Sequence, residues 1–324
     1  MKKSFKLFLA AAFLVTEFFV VALPLMITSA KADGHPIQAI THAGFGGGTD
    51  VTTRMMLLRT RRYLKQDMQL VNKKGGGGAA SMDYMMTLPA DGQHTLTWTT
   101  GHAVSMALGK TKVKLSDMQP LARGTDDPQL FVVNCKNEIK DAKKFISAQK
   151  SKSLKYGTTH VGGIDDVSAI AFTKKGKLTD PTIVPYKGVG PIKTNLIKGD
   201  IDVGVLNLGE AVTEIEDGTL CVSVVLASNR MEKLSNVPTA TELGIPVVLS
   251  TVRGFVTRKG VPADRKKQLE DAMIKAMEHK YFQSFLTDIG LDSTSVVGAD
   301  EWGKQMEVML AEMTAQLKAL GYIN

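Results

Sequence analysis

Aromatic residues, cysteines and histidines are all scarce in this chain of 324 residues. Phe, Trp and Tyr together make up 6% of the sequence, and there are two cysteines and six histidines. The histidines are scattered without metal-ligand spacing, and the HExxH, GxSxG and Walker lysine motifs are absent from the sequence. We therefore expect no catalytic residues, no metal site and no cofactor, and hence no enzyme.

Basic residues outnumber acidic ones, and the formal net charge is +8. The lysines are spread over short clusters, such as Lys73-Lys74 and Lys266-Lys267, rather than gathered on one element. A nucleic-acid-binding protein needs one basic face interleaved with aromatic residues, and this composition does not supply it. We interpret most of the charge as solvated surface and expect no nucleic-acid partner, although a basic balance suits a receptor for anions.

The longest apolar run lies at the N-terminus. Three lysines precede an apolar segment over 7–27, and Ala30-Lys31-Ala32 supplies the small residues that signal peptidase requires. This pattern predicts a signal peptide over residues 1–32 and export across the inner membrane to the periplasm. The apolar segment is longer than a usual signal sequence, so a retained membrane anchor is the alternative.

The two cysteines, Cys135 and Cys221, sit at strand-like segments, "LFVVNC" and "LCVSVVLA". An oxidising compartment permits a disulfide between them. The bond has strict distance requirements that a sequence cannot reveal, so the pairing stays open.

Short strands alternate with helices along most of the chain, which is typical of an α/β protein with mostly parallel sheets. The segment "PIQAITHA" predicts a strand, and a glycine loop then leads into a helix over 50–66. The C-terminal part predicts two long helices, over 262–290 and 299–321. A chain of this length is long for one core and suits two lobes.

Two glycine loops share one pattern. "ITHAGFGGGTD" (40–50) and "YGTTHVGGIDD" (156–166) each run from a strand through Thr-His and glycines to an Asp that opens a helix. Glycine lets the backbone approach a ligand closely, and a helix N-terminus attracts carboxylate or phosphate. One loop in each lobe predicts an anion-accepting cleft at the carboxyl ends of the strands. The simpler alternative is a pair of tight turns with capping Asp residues.

Eight short motifs occur in an order that resembles the extracytoplasmic solute-binding receptors of tripartite tricarboxylate transporters, the Bug-type receptors. They are "PIQAITHAGFGGGTD", "VNKKGGGGAAS", "LPADGQHTL", "LKYGTTHVGG", "IVPYKG", "IKGDIDVGVLN", "VPTATELGIP" and "KGVPAD". The resemblance implies a two-lobed periplasmic-binding-protein type II (Venus flytrap) fold with a central cleft. We expect a discontinuous domain over 33–131 and 251–324, and an inserted domain over 132–250.

The resemblance also implies a function. The protein would capture a small organic acid and deliver it, as a monomer, to the large and small membrane subunits of a tripartite tricarboxylate transporter. One alternative is a receptor that presents its bound form to a signalling partner. Another is an enzyme that uses the glycine loop for a nucleotide, which fits poorly because Thr49 stands where a GxGxxG motif needs its third glycine.

Positions that match the family's motifs, together with this chain's departures from them, give the candidate ligand-binding residues. The first lobe supplies Gly44, Phe45, Gly46, Gly47, Gly48, Thr49, Asp50, Gly76, Gly77, Thr100 and Gly101. The second lobe supplies Thr158, Thr159, Asp165, Asp166, Tyr186 and Asn207, and the segment that leads back to the first lobe supplies Arg253.

The departures bear on the ligand. Asp165-Asp166 stands where many relatives have Gln-His, and Arg253 interrupts a common Ser-Ser-Trp-Phe-Gly pattern. Arg offers a planar fork for a carboxylate, whereas Asp accepts a hydrogen bond from a hydroxyl or ammonium group. We therefore expect a hydroxy or amino acid rather than a simple dicarboxylate. The alternative is that Asp165 caps its helix and pairs with Arg253 or a lysine.

The signal-peptide interpretation makes a direct prediction. Cleavage after Ala32 should leave Asp33 as the first residue of the exported protein, because the small-x-small pattern ends there. Intact-mass spectrometry of the periplasmic fraction measures this. Recovery of the full-length chain in the membrane fraction would establish the retained anchor instead.

Overall fold

The computed structural model describes residues 35–159, 161–319 and 321–323. The predicted signal peptide and its cleavage site lie outside the described residues. Within the described ranges, none of the helices combines the length and apolar character that a membrane crossing demands.

The described residues form eleven strands and ten α-helices. The strands are β1 (Ile37–Thr41), β2 (Met68–Asn72), β3 (His94–Thr99), β4 (Met118–Pro128), β5 (Leu130–Asn134), β6 (Lys155–Thr158), β7 (Thr182–Pro185), β8 (Val203–Leu206), β9 (Leu220–Val225), β10 (Ser250–Arg258) and β11 (Val297–Gly298). The helices are α1 (Gly48–Leu64), α2 (Ala79–Met86), α3 (Thr100–Ala107), α4 (Ala142–Ser151), α5 (Ile164–Lys175), α6 (Val189–Lys198), α7 (Leu208–Glu216), α8 (Ala263–Glu278), α9 (Lys280–Asp288) and α10 (Ala299–Ala319).

The strands are arranged in two mixed sheets. The first has the order β11-β4-β10-β3-β1-β2, and the second has the order β7-β6-β8-β5-β9. β1 runs parallel to β2 and β3, and β6 runs parallel to β7 and β8. The remaining pairs in these two sheets are antiparallel, so the sheets are mixed rather than mostly parallel.

Two strands carry the chain between the sheets, and we call them the crossing strands. β4 ends at Pro128, and after Gln129 the chain continues as β5 in the second sheet. β10 brings it back, pairing antiparallel with both β4 and β3. The return direction of β10 makes the first sheet mixed. The sequence did not predict β4, because "MQPLARGTDDP" lacks the apolar alternation of a strand.

Each sheet draws on its own part of the chain. The strands of the first sheet come from 37–128 and 250–298, and those of the second come from 130–225. The division into 33–131 with 251–324, and 132–250, would follow these sheets closely. The domain boundaries themselves stay a prediction.

The C-terminal part has three α-helices, so the expected pair is wrong. His279 separates α8 from α9 because its backbone is extended, with φ −69° and ψ 143°. Its ring accepts the N–H of Tyr281, which caps a new helix. No glycine or proline marks this break in the sequence.

Cys135 and Cys221 form a disulfide, with Cα atoms 5.0 Å apart. The bond joins the end of β5 to β9, and these strands are antiparallel neighbours with Val133 opposite Cys221. Strand pairing therefore sets the cysteine separation that the sequence left open.

Helix α10 packs directly on crossing strand β10. The fully buried Trp302 lies edge-to-face against Trp98, with ring centroids 5.8 Å apart. A Cβ at Gly254 would stand 2.3 Å from the Trp302 ring, so only glycine allows this approach. The contact fixes the helix against the strand that brings the chain back from the second sheet.

We predict that Gly254→Ala destabilises the protein. The added methyl group overlaps a ring whose surroundings are closely packed, and overpacking of this kind costs about 1–3 kcal/mol. Gly190→Ala is the matched control, because Gly190 is helical and a Cβ there meets nothing within 4 Å. In urea denaturation, the unfolding midpoint of Gly254→Ala should be lower than that of the wild-type protein, and the midpoint of Gly190→Ala should be unchanged. Equal midpoints for all three proteins would contradict the packing argument.

Candidate functional site

The first glycine loop is closed by Asp50, the third residue of α1. Its buried carboxylate accepts the N–H of Gly46 at 3.1 Å and pairs with Arg54 at 2.8 Å. Gly46 has φ +75°, which favours glycine, and the N–H of Gly47 binds the carbonyl of Gly44. These groups are used inside the loop. The first-turn N–H groups of α1, which have no acceptor in their own helix, are the donors available to a ligand.

The second glycine loop repeats this design. Gly162 has φ +68°, and its N–H donates to the carboxylate of Asp166 at 2.6 Å. Gly163 is the N-cap of α5, as Gly47 is of α1. The resemblance between the two loops that the sequence suggested is therefore a shared backbone geometry, Gly-Gly-x-x-Asp, at two helix N-termini.

Asp165 binds within the second loop as well. Its Oδ2 accepts the N–H of Thr159 at 2.9 Å and the hydroxyl of Thr159 at 2.6 Å. The buried Thr158 directly precedes this contact, and its carbonyl accepts the N–H of Tyr186. Asp165 thus holds the loop that precedes α5, whose N-cap is Gly163. A ligand role for Asp165 and Asp166 stays a prediction.

Phe45 projects from the tip of the first loop and is 78% exposed. The charged groups of Arg54 and Lys74 lie 5.8 Å and 5.7 Å from its ring centroid. The ring is thus flanked by two cations at an open edge of the loop.

Gly76 and Gly77 belong to a run of glycines that packs against α3. All four residues of 75–78 have positive φ, and the hydroxyl of Ser105 donates to the carbonyls of Gly76 and Gly77. A Cβ at Gly77 would stand 2.7 Å from that hydroxyl oxygen. These contacts give the two glycines a packing role, and a ligand contact there stays a prediction.

Thr100 ties the N-terminus of α3 to crossing strand β10. Its hydroxyl donates to the carbonyl of Ser250 and accepts the N–H of Val252, both at 2.9 Å. Gly101 follows it, and a Cβ there would approach the carbonyl oxygen of Gly77 to 3.7 Å. The glycine run 75–78 and the crossing strand β10 are therefore linked through α3.

Arg253 is the centre of a buried polar network on the crossing strands. Nε donates to the hydroxyl of Thr49 at 3.2 Å, and Nη2 donates to Oδ1 of Asn207 at 3.4 Å. Nη1 pairs with Oδ2 of Asp127 at 3.1 Å, and both charged side chains are 3% exposed. The guanidinium therefore connects the first glycine loop with the helix N-terminus of α7 in the second lobe.

The partner of Arg253 is Asp127 rather than Asp165, and sequence reasoning missed it. Burial raises the pKa of Asp127 to about 6, although the neighbouring Arg253 opposes the shift. The only signal for this residue was an Asp-Asp pair ahead of the apolar run "LFVV". Such a pair is typical of a solvated turn. Only the register of β4 and β10 reveals that Asp127 lies on the same face as Arg253.

Asn207 fastens α7 to the crossing strands. Its side-chain amide donates to the carbonyls of Asp127 and Pro128 at 2.9 Å and 3.0 Å, while its N–H donates to Glu210. Glu210 is half-buried by surface area but closely surrounded by protein atoms, and this desolvation raises its pKa to about 7. A second titratable carboxyl group thus lies beside Arg253.

A separate cavity of about 750 Å³ lies elsewhere, lined among others by Arg123, Asp126, Arg230 and Asp292. It shares no residue with the predicted ligand site, and Arg123 and Asp126 already pair with each other. Among the residues described, no cluster of three or more His, Cys, Asp or Glu is placed to hold a metal ion.

Comparison with known proteins identifies the family and the fold. The family described as "Tripartite tricarboxylate transporter family receptor" matches residues 52–320. Protein BugT from Bordetella pertussis is 27% identical over 220 residues, which cover 65% of this chain and 66% of BugT.

Two solved structures from Rhodopseudomonas palustris have the same fold. MatC, solved with bound malate, is 23% identical with a TM-score of 0.77, covering 87% of this chain and 98% of MatC. A second protein, solved with adipate, is 21% identical with a TM-score of 0.79, covering 90% of this chain and 99% of that one. The expected two-lobed periplasmic-binding fold is confirmed, and the fold and family are those of solute-binding receptors, not enzymes.

The raised pKa of Glu210 predicts a pH dependence of stability. A carboxyl group whose pKa is higher in the folded state stabilises the fold below its ordinary value, about 4.5, and this contribution is lost as the pH rises through about 7. Between pH 4.5 and about 7, the free energy of unfolding should fall less steeply with pH in Glu210→Gln than in the wild-type protein. The two slopes should differ by at most ~1.4 kcal/mol per pH unit. Denaturant titrations at several pH values measure the slope.

Glu216→Gln is the control for that experiment, because Glu216 is exposed at the end of the same helix. It should leave the pH profile of the wild-type protein unchanged. Parallel profiles for wild type and Glu210→Gln would show that Glu210 does not titrate in this range.

Proposed function

Since the chain belongs to the tripartite tricarboxylate transporter family of receptors, we propose that it captures a small organic carboxylate and delivers it to the large and small membrane subunits of such a transporter. It acts as a monomer in the periplasm, after removal of the N-terminal segment. The observation that carries this proposal is the pair of matching glycine loops, each at a helix N-terminus, with the Arg253 guanidinium bonded to Thr49 of the first loop.

The first loop binds one carboxylate. Gly46 and Gly47 donate their N–H groups within the loop, so the ligand meets the first-turn N–H groups of Gly48 and Thr49. These groups carry the positive end of the helix dipole. A Cβ at Gly48 would stand 2.6 Å from Nη2 of Arg253, which means that the guanidinium lies against the same turn. A carboxylate there would meet two backbone donors and one cation.

Two further observations support a carboxylate as the ligand. Malate and adipate occupy the solved relatives that share this fold, and both are small carboxylic acids. The second loop has the same Gly-Gly-x-x-Asp geometry as the first, so a second acidic or polar group of the ligand can bind at α5.

A thermal-shift screen of mono-, di- and tricarboxylates, aromatic acids and amino acids tests the proposal. A ligand at 100 times its Kd stabilises the folded state by about 2.7 kcal/mol, which raises the melting temperature measurably. Phosphate and inorganic sulfate serve as anion controls. If no carboxylate raises the melting temperature, the proposed function is wrong.

Gly47→Val tests the role of the first loop. Gly47 has φ −72°, and a Cβ there would meet only the carbonyl of Gly44, at 3.4 Å, so the fold accommodates a side chain. The isopropyl group should nevertheless block the approach of a carboxylate to the first turn. Loss of one hydrogen bond to a charged group weakens affinity roughly tenfold to hundredfold.

Isothermal titration calorimetry with the acid found in the screen measures the affinity, and melting curves without ligand monitor the fold. Gly190→Ala, remote in the chain and sterically free, should leave both unchanged. Unchanged affinity in Gly47→Val would reduce the loop to a turn between β1 and α1.

A further inference from the structure

Two buried acceptor atoms at the C-terminal end of β4 have no hydrogen-bond partner among the residues described. They are Oδ1 of Asp127 and Oε1 of Gln129. Both side chains are almost completely buried, at 2% and 0% exposure. Buried polar atoms in folded proteins are nearly always paired, and an unpaired one calls for a bound water, an ion or a ligand group.

The two atoms lie in one polar cluster. Thr251 is opposite Asp127 and Arg253 is opposite Thr125 in the antiparallel pairing of β10 with β4. Side chains that lie opposite each other on paired strands point to the same face of the sheet, and so do side chains two positions apart along one strand. Gln129 joins this face because its Nε2 donates to the hydroxyl of Thr251 at 2.7 Å.

The amide of Gln129 can be oriented in one way only. Its Nε2 lies 3.5 Å from Oδ1 of Asp165 as well as near Thr251. Turning the amide around would place a carbonyl oxygen against a carboxylate oxygen, which is repulsive. Both N–H groups are therefore directed at protein atoms, and Oε1 is left as an acceptor.

The carboxylate of Asp127 is likewise half used. Arg253 binds Oδ2, and the amide of Asn207 binds the backbone carbonyl of Asp127 rather than its side chain. Oδ1 is therefore a second acceptor, attached to the same carboxyl carbon as the oxygen that holds the guanidinium.

We propose that Oδ1 of Asp127 and Oε1 of Gln129 form an acceptor subsite that reads a hydroxyl or ammonium group carried by the ligand next to its carboxylate. The inference rests on the proposed function. Arg253 binds both Asp127 and Thr49 of the first loop, so a carboxylate at that loop has the acceptors beside it. Asp127 and Gln129 thereby select hydroxy and amino acids over their unsubstituted parents, a selection that sequence analysis had assigned to Asp165 and Asp166.

Matched acids isolate the donor group. Succinate, malate and aspartate share one carbon skeleton and differ at one carbon in carrying hydrogen, hydroxyl or ammonium. Glutarate, 2-hydroxyglutarate and glutamate form a second set, and propionate, lactate and alanine form a third. Calorimetry on the wild-type protein should give, in at least one set, roughly tenfold to hundredfold tighter binding of a donor-bearing member than of its parent acid.

Three variants test the residues. Gln129→Met removes the acceptor and should reduce the preference to about twofold or less. Asp127→Asn keeps the shape, but its oxygen will face the Arg253 guanidinium and its NH₂ group will face the ligand, so the preference should disappear or reverse. Gln149→Met is the control, because Gln149 is equally buried but bonds Tyr156 and Thr179 in the second lobe, and it should keep the preference.

The outcomes separate this inference from the proposed function. Binding of parent and substituted acids with equal affinity by the wild-type protein overturns the subsite, as does a preference that persists in both Gln129→Met and Asp127→Asn. Such a result would mean that a water fills the acceptors. Failure of every acid in the thermal-shift screen to bind overturns the proposed function, and the subsite with it. If Gln129→Met does not fold, Asp127→Asn and the wild-type comparison still decide.

Discussion

The buried ion pair of Arg253 and Asp127 is the interaction on which the rest of the site depends. A buried charge without a partner is strongly destabilising, so the guanidinium and carboxylate must stay together and must be surrounded by polar atoms. Thr49 and Asn207 supply these atoms from the two lobes. The pair therefore dictates a polar rather than an apolar junction between the crossing strands and the two helix N-termini.

The two glycine loops show what a short sequence motif can and cannot specify. Asp50 and Asp166, both predicted ligand-binding residues, each accept the N–H of a positive-φ glycine four residues earlier. The carboxylates thus shape the loops, and a ligand role for either residue stays a prediction. A motif of glycines and acids thus predicts a loop at a helix N-terminus more reliably than the contacts that its side chains make.

Local patterns predicted most of the helices, the glycine loops and the α/β class, because glycine spacing and apolar periodicity act over a few residues. The two-lobed fold was inferred from chain length and from the family resemblance. The mixed sheets, the partner of Arg253 and the disulfide all depend on which strands lie side by side. Asp127 and Gln129 illustrate the limit, since they are separated from Thr251 and Arg253 by more than a hundred residues and meet them only through the register of β4 and β10. Composition and spacing carry no information on that register.

The disulfide has a consequence for the folding of an exported chain. Cys135 and Cys221 enclose a separation of 86 residues, which includes β6, α5, α7 and the second glycine loop. A cytosol keeps thiols reduced, so on an exported chain the second lobe gains its cross-link only after translocation. Before that step the unfolded chain retains the entropy that the closed loop later removes. Formation of the disulfide thus stabilises the folded second lobe relative to the unfolded chain that translocation requires.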